Sequence, residues 1–424
     1  MIEPSSNRGK ILSWTLFDFA NTAFYVLILT VGYPLYFRKI IMGGAPEGDA
    51  LWGISFSISM FIVAILSPVL GAVADYGAGK KRFLWIFTAL CILATSALYF
   101  VGPSMIFWGM TLLILANVGF EAGLVFYDAF LPELTTERSY GRVSGYGFAM
   151  GYLGSLVTLV IAMPLYKEGF GPENIINVRI SFLVAALMFL AFALPIFIFV
   201  PDRQRHAGLK RDFVAIGIKR IGTTFRDFSK YRNVARFLLS YFFYIDAINT
   251  IIIFSSIFAD ETLKLGIQDI IVFFAIVQTS AVLGSIAFGI LADKIGHKRT
   301  LVVSLTLWLV VLAIAYWTQD ATTFFMVGIL AGVALGSSQS SSRSLMSSIV
   351  PAEKKTEFFG FYSFFGKASA IVGPALFGVV SSYANQRIAL VSVGVLLAGG
   401  LFLLKNVKET VGDRSAGTMI EPAK

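Results

Sequence analysis

Gly71-Ala-Val-Ala-Asp75 with Lys80-Lys81, and Gly289-Ile-Leu-Ala-Asp293 with Lys298-Arg299, repeat one short pattern without gaps, 218 residues apart. Each copy joins two long apolar runs. Pro132, Gly141, Gly147 and Gly154 match Pro351, Gly360, Gly366 and Gly373 at an offset of 219, and Asp18-x-x-Asn21-Thr22 matches Asp246-x-x-Asn249-Thr250 at 228. The difference between the offsets falls in Gly43-Gly44-Ala45-Pro46-Glu47-Gly48, which lengthens the first loop of the first half. Landmarks in one order identify parallel internal repeats.

The apolar runs set the class. The 424 residues are 57% apolar, 15% aromatic and 14% charged, against about 25% charged in soluble domains. A bilayer span takes about 20 apolar residues. Such runs fall near 14–37, 52–74, 83–101, 104–130, 144–166 and 179–200, then near 236–258, 270–292, 300–318, 322–348, 358–382 and 386–405. The expected fold is all-α and integral to the membrane, with twelve transmembrane helices in two six-helix pseudo-symmetric halves. Residues 1–200 are the N-terminal bundle, 201–235 a basic amphipathic linker, 236–408 the C-terminal bundle and 409–424 a polar tail. In the linker Leu209, Phe213, Ile216, Ile221 and Phe225 recur at helical spacing among basic residues, the pattern of a helix lying on the inner leaflet.

Charge gives orientation. The net charge is +9, and residues 201–236 hold ten Lys/Arg against three Asp. With the N-terminus inside, the inner loops and tails carry 26 Lys/Arg and the outer loops 6, leaving Arg343 and Lys367 within spans. Both termini are therefore expected in the cytoplasm, in a bacterial inner or plasma membrane. The same distribution explains the basicity without a nucleic-acid partner. Cys91 is the single cysteine, and His206 and His297 stand apart, so neither a disulfide nor a metal centre is expected. The first apolar run is too long for a cleaved leader and is expected to remain as a helix. The chain contains no Gly-x-x-x-x-Gly-Lys-(Ser/Thr) loop and no nucleophile–base pair, so ATP hydrolysis and enzymatic chemistry are not expected. No cofactor is expected; an ion gradient, with protons as the ion, would drive uphill movement.

The repeated pattern Gly-x-x-x-Asp-x-x-Gly-x-(Lys/Arg)-(Lys/Arg) resembles the signature loop of the major facilitator superfamily. The second copy has Gly296 in place; in the first, Ala78 takes that position between Gly77 and Gly79. Three further stretches resemble the vacuole-effluxer-like branch, whose fungal members are similar to amino-acid exporters of the vacuole. They are Trp14 with Phe17-Asp-Phe-Ala-Asn-Thr-Ala-Phe24, Phe126-Tyr-Asp-Ala-Phe-Leu-Pro-Glu133, and Ser144-Gly-Tyr-Gly147 with Gly151-Tyr-Leu-Gly154. The resemblance covers essentially the whole chain. It implies a monomeric secondary transporter in the lipid bilayer that moves a small-molecule substrate by alternating access. The expected cargo is a small polar solute; the in-span acids together with Arg343 suit an amino acid or other zwitterion, and equally an organic anion moved with protons. The resemblance also implies that spans one, four, seven and ten line a central cavity, and that each loop Asp meets the N-terminus of a helix in the opposite half.

The in-span polar residues agree with that cavity. Span one has Asp18 and Asn21, span four Asn117, Glu121 and Asp128, span seven Asp246 and Asn249, span ten Gln339 and Arg343; Lys367 lies on span eleven. Ionisable groups in a membrane are costly and point to function. Glu121 is about 16 Å along a helix from Pro132, near mid-membrane, whereas Asp128 is about 6 Å from it and is expected at the interface. Asp18, Glu121 and Asp246 are candidates for proton exchange or for holding a cation, Asp246 more so than Asp18; the alternative is that they bridge helices through Arg343 or Lys367. Arg343 is expected to hold a substrate carboxylate or phosphate, and Lys367 to neutralise an acid. Gly71, Asp75, Lys80, Lys81, Gly289, Asp293, Lys298 and Arg299 form the expected gating set. Ala281, Ser285 and Gly289, with Gly147, Gly151 and Gly154, are expected to bring spans five and eight together. Trp14, Trp52 and Trp85 are expected at the membrane interface. Two other functions stay open: a lipid or amphiphile transporter, and a transporter-like sensor that signals through its linker.

Overall fold

The computed structural model describes residues 4–30, 32–45, 47–75, 79–202, 231–257, 259, 263–264, 267–351, 354–369, 376–377, 380, 383 and 386–409. Most of the linker (203–230), the tail beyond 409, and Ala78, Gly373 and Pro374 lie outside them. Twelve principal helices run through the described residues: α1 (Pro4–Phe24), α2 (Glu47–Val73), α3 (Lys80–Ala97), α4 (Ile106–Asp128), α5 (Tyr140–Tyr166) and α6 (Ile175–Phe199), then α7 (Arg232–Ile257), α8 (Ile267–Ile295), α9 (His297–Trp317), α10 (Ala321–Ile349), α11 (Lys355–Ser369) and α12 (Gln386–Leu404). Eleven stretches among the described residues are long and apolar enough to cross a membrane. α11 occupies the start of the remaining run, near 358–382. Past Phe24 the first span continues through π-helical turns at Tyr25–Thr30 and Phe37–Ile41, separated by a short helix.

Each half has its own apolar core. One gathers Phe17, Leu84, Phe126 and Phe182; the other gathers Phe237, Leu301, Trp308 and Phe358. Polar and small residues are left for the seam, where α5 packs on α8 and α10, and α2 on α11. The seam is tight enough to need glycine: a Cβ on Gly145 would lie 2.2 Å from the Ser285 carbonyl oxygen, and one on Gly71 2.3 Å from that of Thr356. Side chains there would force the halves apart. The expected α5 face is corrected. Gly147, Gly151 and Gly154 turn toward α1, where a Cβ on Gly154 would strike the Phe19 carbonyl at 2.4 Å. Gly141 and Gly145, nearer the start of the same helix, meet α8 instead.

The two repeated loops end alike. Gly79 and Gly296 precede α3 and α9 with φ of +78° and +103°, a left-handed turn that glycine adopts without strain. Gly79 therefore fills the role expected at position 78, and the helices align one residue out of the gapless register. In the register shifted by that one residue Lys81 matches Lys298, and they behave alike. The Lys81 ammonium donates to the Val200 carbonyl at 2.7 Å, and the Lys298 ammonium to the Lys405 carbonyl at 2.8 Å. A carboxylate completes each clasp: Asp202 accepts from the Lys81 backbone N–H at 3.0 Å, and Glu409 from those of His297 and Lys298 at 2.7 and 3.2 Å. The third helix of each half is thus tied to the residues that follow its sixth helix. Burial pushes the Asp202 carboxyl above its usual range, against the pull of the Lys81 N–H and lysine charges.

Candidate transport site

The seam carries three sets of polar contacts, beginning at the loops. Asp75, from the α2–α3 loop, reaches the first turn of α11: its Oδ1 accepts from the Thr356 hydroxyl at 2.6 Å and its Oδ2 from the Glu357 N–H at 2.8 Å. Asp293, at the end of α8, reaches the first turn of α5. Its Oδ1 accepts from the Gly141 N–H at 2.8 Å, and its Oδ2 from the N–H and Nε of Arg142, both at 3.2 Å. Each is an anion at the positive end of a helix belonging to the other half. The Gly-x-x-x-Asp spacing follows from this. The glycine admits the partner backbone, and the Asp one turn later caps it. Burial raises the Asp75 carboxyl above its usual range, opposed by the bonds from Thr356 and Glu357 and by the Lys80 charge. The loop lysines do not bond to these carboxylates. Lys80 pairs with Glu133 at 2.7 Å and donates to the Ala129 carbonyl, and Arg299 is exposed.

Deeper in the seam lies Arg343, only 1% exposed although it projects from the C-terminal half into the N-terminal one. Its Nη1 contacts Asp18 at 3.3 Å and Asp128 at 3.1 Å, its Nε donates to the Ser144 hydroxyl at 3.0 Å, and its Nη2 donates to the Ser144 carbonyl at 2.8 Å. The guanidinium centre stands 4.0 Å from the ring centroid of Phe148, 4.8 Å from Trp14 and 5.6 Å from Tyr127. Trp14 is stacked on Tyr127 and donates to its carbonyl, and the Tyr127 hydroxyl donates to Asp18 at 2.7 Å. Asn21 supports Asp18 at 3.4 Å.

Three expectations change here. Arg343 has its donors committed within the protein, so it does not present a free fork to a solute. Asp128 belongs to the same cage as Asp18 rather than to the interface. Trp14 is wholly buried against Tyr127 rather than anchored at the lipid boundary.

The third set lies near the bundle centre. Glu121 of α4 pairs with Lys367 of α11 across the seam, the Glu121 side chain 7% exposed and that of Lys367 21%. The Tyr152 hydroxyl of α5 donates to the Gln339 amide oxygen of α10 at 2.5 Å. Asp246 is 1% exposed, beside the half-buried Asn249. Asn117 instead donates inside its own half, to the Ser59 hydroxyl at 2.6 Å. Asp18 and Arg343 therefore share one cluster and Glu121 and Lys367 another. In the pairs that cross the seam the carboxylates, Asp18, Glu121 and Asp128, come from the N-terminal half and the cations, Arg343 and Lys367, from the C-terminal half, which also carries the buried Asp246.

Two six-helix halves with charged residues paired across a seam at membrane depth define a major facilitator transporter fold. The comparisons agree. The profile of the family "Vacuole effluxer Atg22 like" matches residues 41–417, and the chain belongs to that family. It is 32% identical over 408 residues, 94% of each chain, to an uncharacterised MFS-type transporter, YxiO of Bacillus subtilis (strain 168). Among solved structures it is similar to the human organic anion transporter MFSD10 (TM-score 0.77, 14% identity, covering 95% of this chain and 100% of that one). It is also similar to FucP, a major facilitator transporter in its outward conformation (TM-score 0.73, 14% identity, 95% and 99% covered). At such identities these structures speak for the fold alone.

Proposed function

We propose that this chain is a proton-coupled secondary transporter that moves a small zwitterion, such as an amino acid, by rocking its halves about the Glu121–Lys367 pair. That pair carries the reading. It joins the two halves, it includes the more exposed of the two in-span cations, and its charges match a zwitterion in reverse. The ammonium of a solute would replace Lys367 at Glu121, while its carboxylate would replace Glu121 at Lys367. Each swap exchanges one charge-assisted bond for another, so neither ion is left bare in a low dielectric. A proton on Glu121 would serve in the solute's absence, which couples the cycle to a pH gradient.

Asp75 and Asp293 act as the inner latches, since the helix ends they cap belong to the opposite half and part from them when that side opens. The latch side faces the cytoplasm together with both termini, as the basic loops require, and the protein works as a monomer in a bacterial inner or plasma membrane. No resident cofactor and no nucleic acid takes part.

Counterflow in proteoliposomes across a panel of amino acids, peptides and organic anions, with and without a pH gradient, tests this reading. The expected result is amino-acid counterflow that responds to the gradient in wild type and loses that response in Glu121→Gln. Flux indifferent to the gradient and to both Glu121→Gln and Asp246→Asn would refute the coupling.

A further inference from the structure

The cage around Arg343 belongs entirely to the N-terminal half: Trp14 and Asp18 on α1, Tyr127 and Asp128 on α4, Ser144 and Phe148 on α5. The group that fills it does not. When the halves part on the latch side, Arg343 leaves with the C-terminal half. Two carboxylates and three aromatic faces then remain, already arranged around the place of a guanidinium. The surroundings add to the demand, because Glu121 lies two helical turns from Asp128 on the same face of α4, about 10 Å away. A proton would quench a carboxylate but makes no use of aromatic faces. An organic cation uses both, through charge-assisted hydrogen bonds and cation–π contact.

We propose that the Arg343 cage is a binding site for an organic cation, a primary ammonium or guanidinium, that replaces Arg343 when the transporter opens toward the cytoplasm. Arg343 is in this sense a tethered occupant that holds the site shut, and a free cation stabilises the opposite state. The proposal rests on the rocking-halves reading and assigns part of the substrate class: solutes that carry a cationic group beyond the zwitterionic head are preferred. A neutral solute of the same shape gains nothing from the cage. Because the cation binds only after Arg343 withdraws, its affinity must rise when the inner latches are weakened.

The test is equilibrium binding of labelled arginine and of its uncharged isostere citrulline to the full-length protein in detergent, for wild type, Asp293→Asn and Asp128→Asn. Arginine is expected to bind about tenfold more tightly than citrulline, the advantage of one desolvated cation–π and carboxylate contact. Asp293→Asn should tighten arginine severalfold more, and Asp128→Asn should erase the preference. Phe148→Leu, which removes the nearest ring while keeping every charge, should weaken arginine and leave citrulline unchanged, and serves if Asp128→Asn does not fold. Equal binding of the two ligands to Asp293→Asn, or an undiminished preference in both cage variants, overturns the proposal. Counterflow separates it from the reading beneath it. Cation-selective binding without flux would sink transport and keep the site; flux of neutral amino acids with no preference for arginine would sink the site and keep transport.

Discussion

Weakening the two latches should open the protein in measured steps. Asp293 accepts from two backbone N–H groups at the start of α5 and from the Arg142 side chain. The Arg142 side chain is 48% exposed, so its share is discounted for solvent screening, while the Asp293 side chain is 4% exposed and its backbone bonds are sheltered. A charge at a partly buried helix N-terminus contributes up to about 2 kcal/mol. Asn keeps one acceptor, so Asp293→Asn should shift the balance between closed and open inner sides by about 1–2 kcal/mol, roughly five- to thirtyfold. Asp75→Asn acts on α11, a different helix, and its effect should add, giving roughly 30- to 1000-fold for the pair. The readout is the rate at which an impermeant maleimide labels Ser340→Cys from the cytoplasmic side. The Ser340 backbone carbonyl accepts from the Ser144 hydroxyl in the shut seam, and the native Cys91, itself buried, is replaced by Ser. Labelling that stays within twofold of the wild-type rate in the double variant would refute the latch assignment.

Three further outcomes are expected. Gly145→Ala pushes a methyl at the Ser285 carbonyl across the seam, whereas Gly336→Ala pushes one at the Ala281 carbonyl within a single half; the first should speed Ser340→Cys labelling with little change in Tm, and the second should lower Tm instead. Burial holds the Asp75 carboxyl above its ordinary 3.8, so its folded pKa exceeds the unfolded one. Its contribution to stability is complete below 3.8 and fades as pH rises through the raised value, and Asp75→Asn should remove that segment from the wild-type Tm–pH profile. Lys81→Met and Glu409→Gln should each cost roughly 1–2 kcal/mol in denaturant unfolding, the worth of a charged hydrogen bond, without altering the labelling rate.

The architecture could be read from the chain because span length and repeat order are coarse properties that survive local detail. The loop carboxylates were also legible, since retaining basic loops on one side explains lysines but not a repeated Asp. Other features needed coordinates. Asp128, counted from Pro132, fell near the boundary; yet Arg343 stands a similar number of residues from the end of α10 at Ile349, and matching depth on facing helices was the available sign that the two meet. Trp14 sits near a span end, where indoles commonly face lipid, and nothing in its neighbours announced the stack on Tyr127. The glycines of α5 mark two faces, and spacing alone does not say which one meets α1 and which meets α8. Ala78 looked like a departure from the loop pattern because a gapless alignment hides a one-residue slip, which the positive φ of Gly79 exposes.

The clasps at Lys81–Asp202 and Lys298–Glu409 and the latches at Asp75 and Asp293 use one kind of bond, a carboxylate on a helix start, for opposite ends. The clasps close each half upon itself, so rocking of the halves would leave them made. The latches cross between the halves, so rocking of the halves would break and remake them. Foldability and resting state are therefore inherited separately. Substitutions at the latches can retune how readily the transporter opens, relative by relative, without drawing on the reserve that keeps either bundle folded. A lineage can explore new cargoes and new gradients at that seam while the scaffold on both sides remains insulated from the experiment.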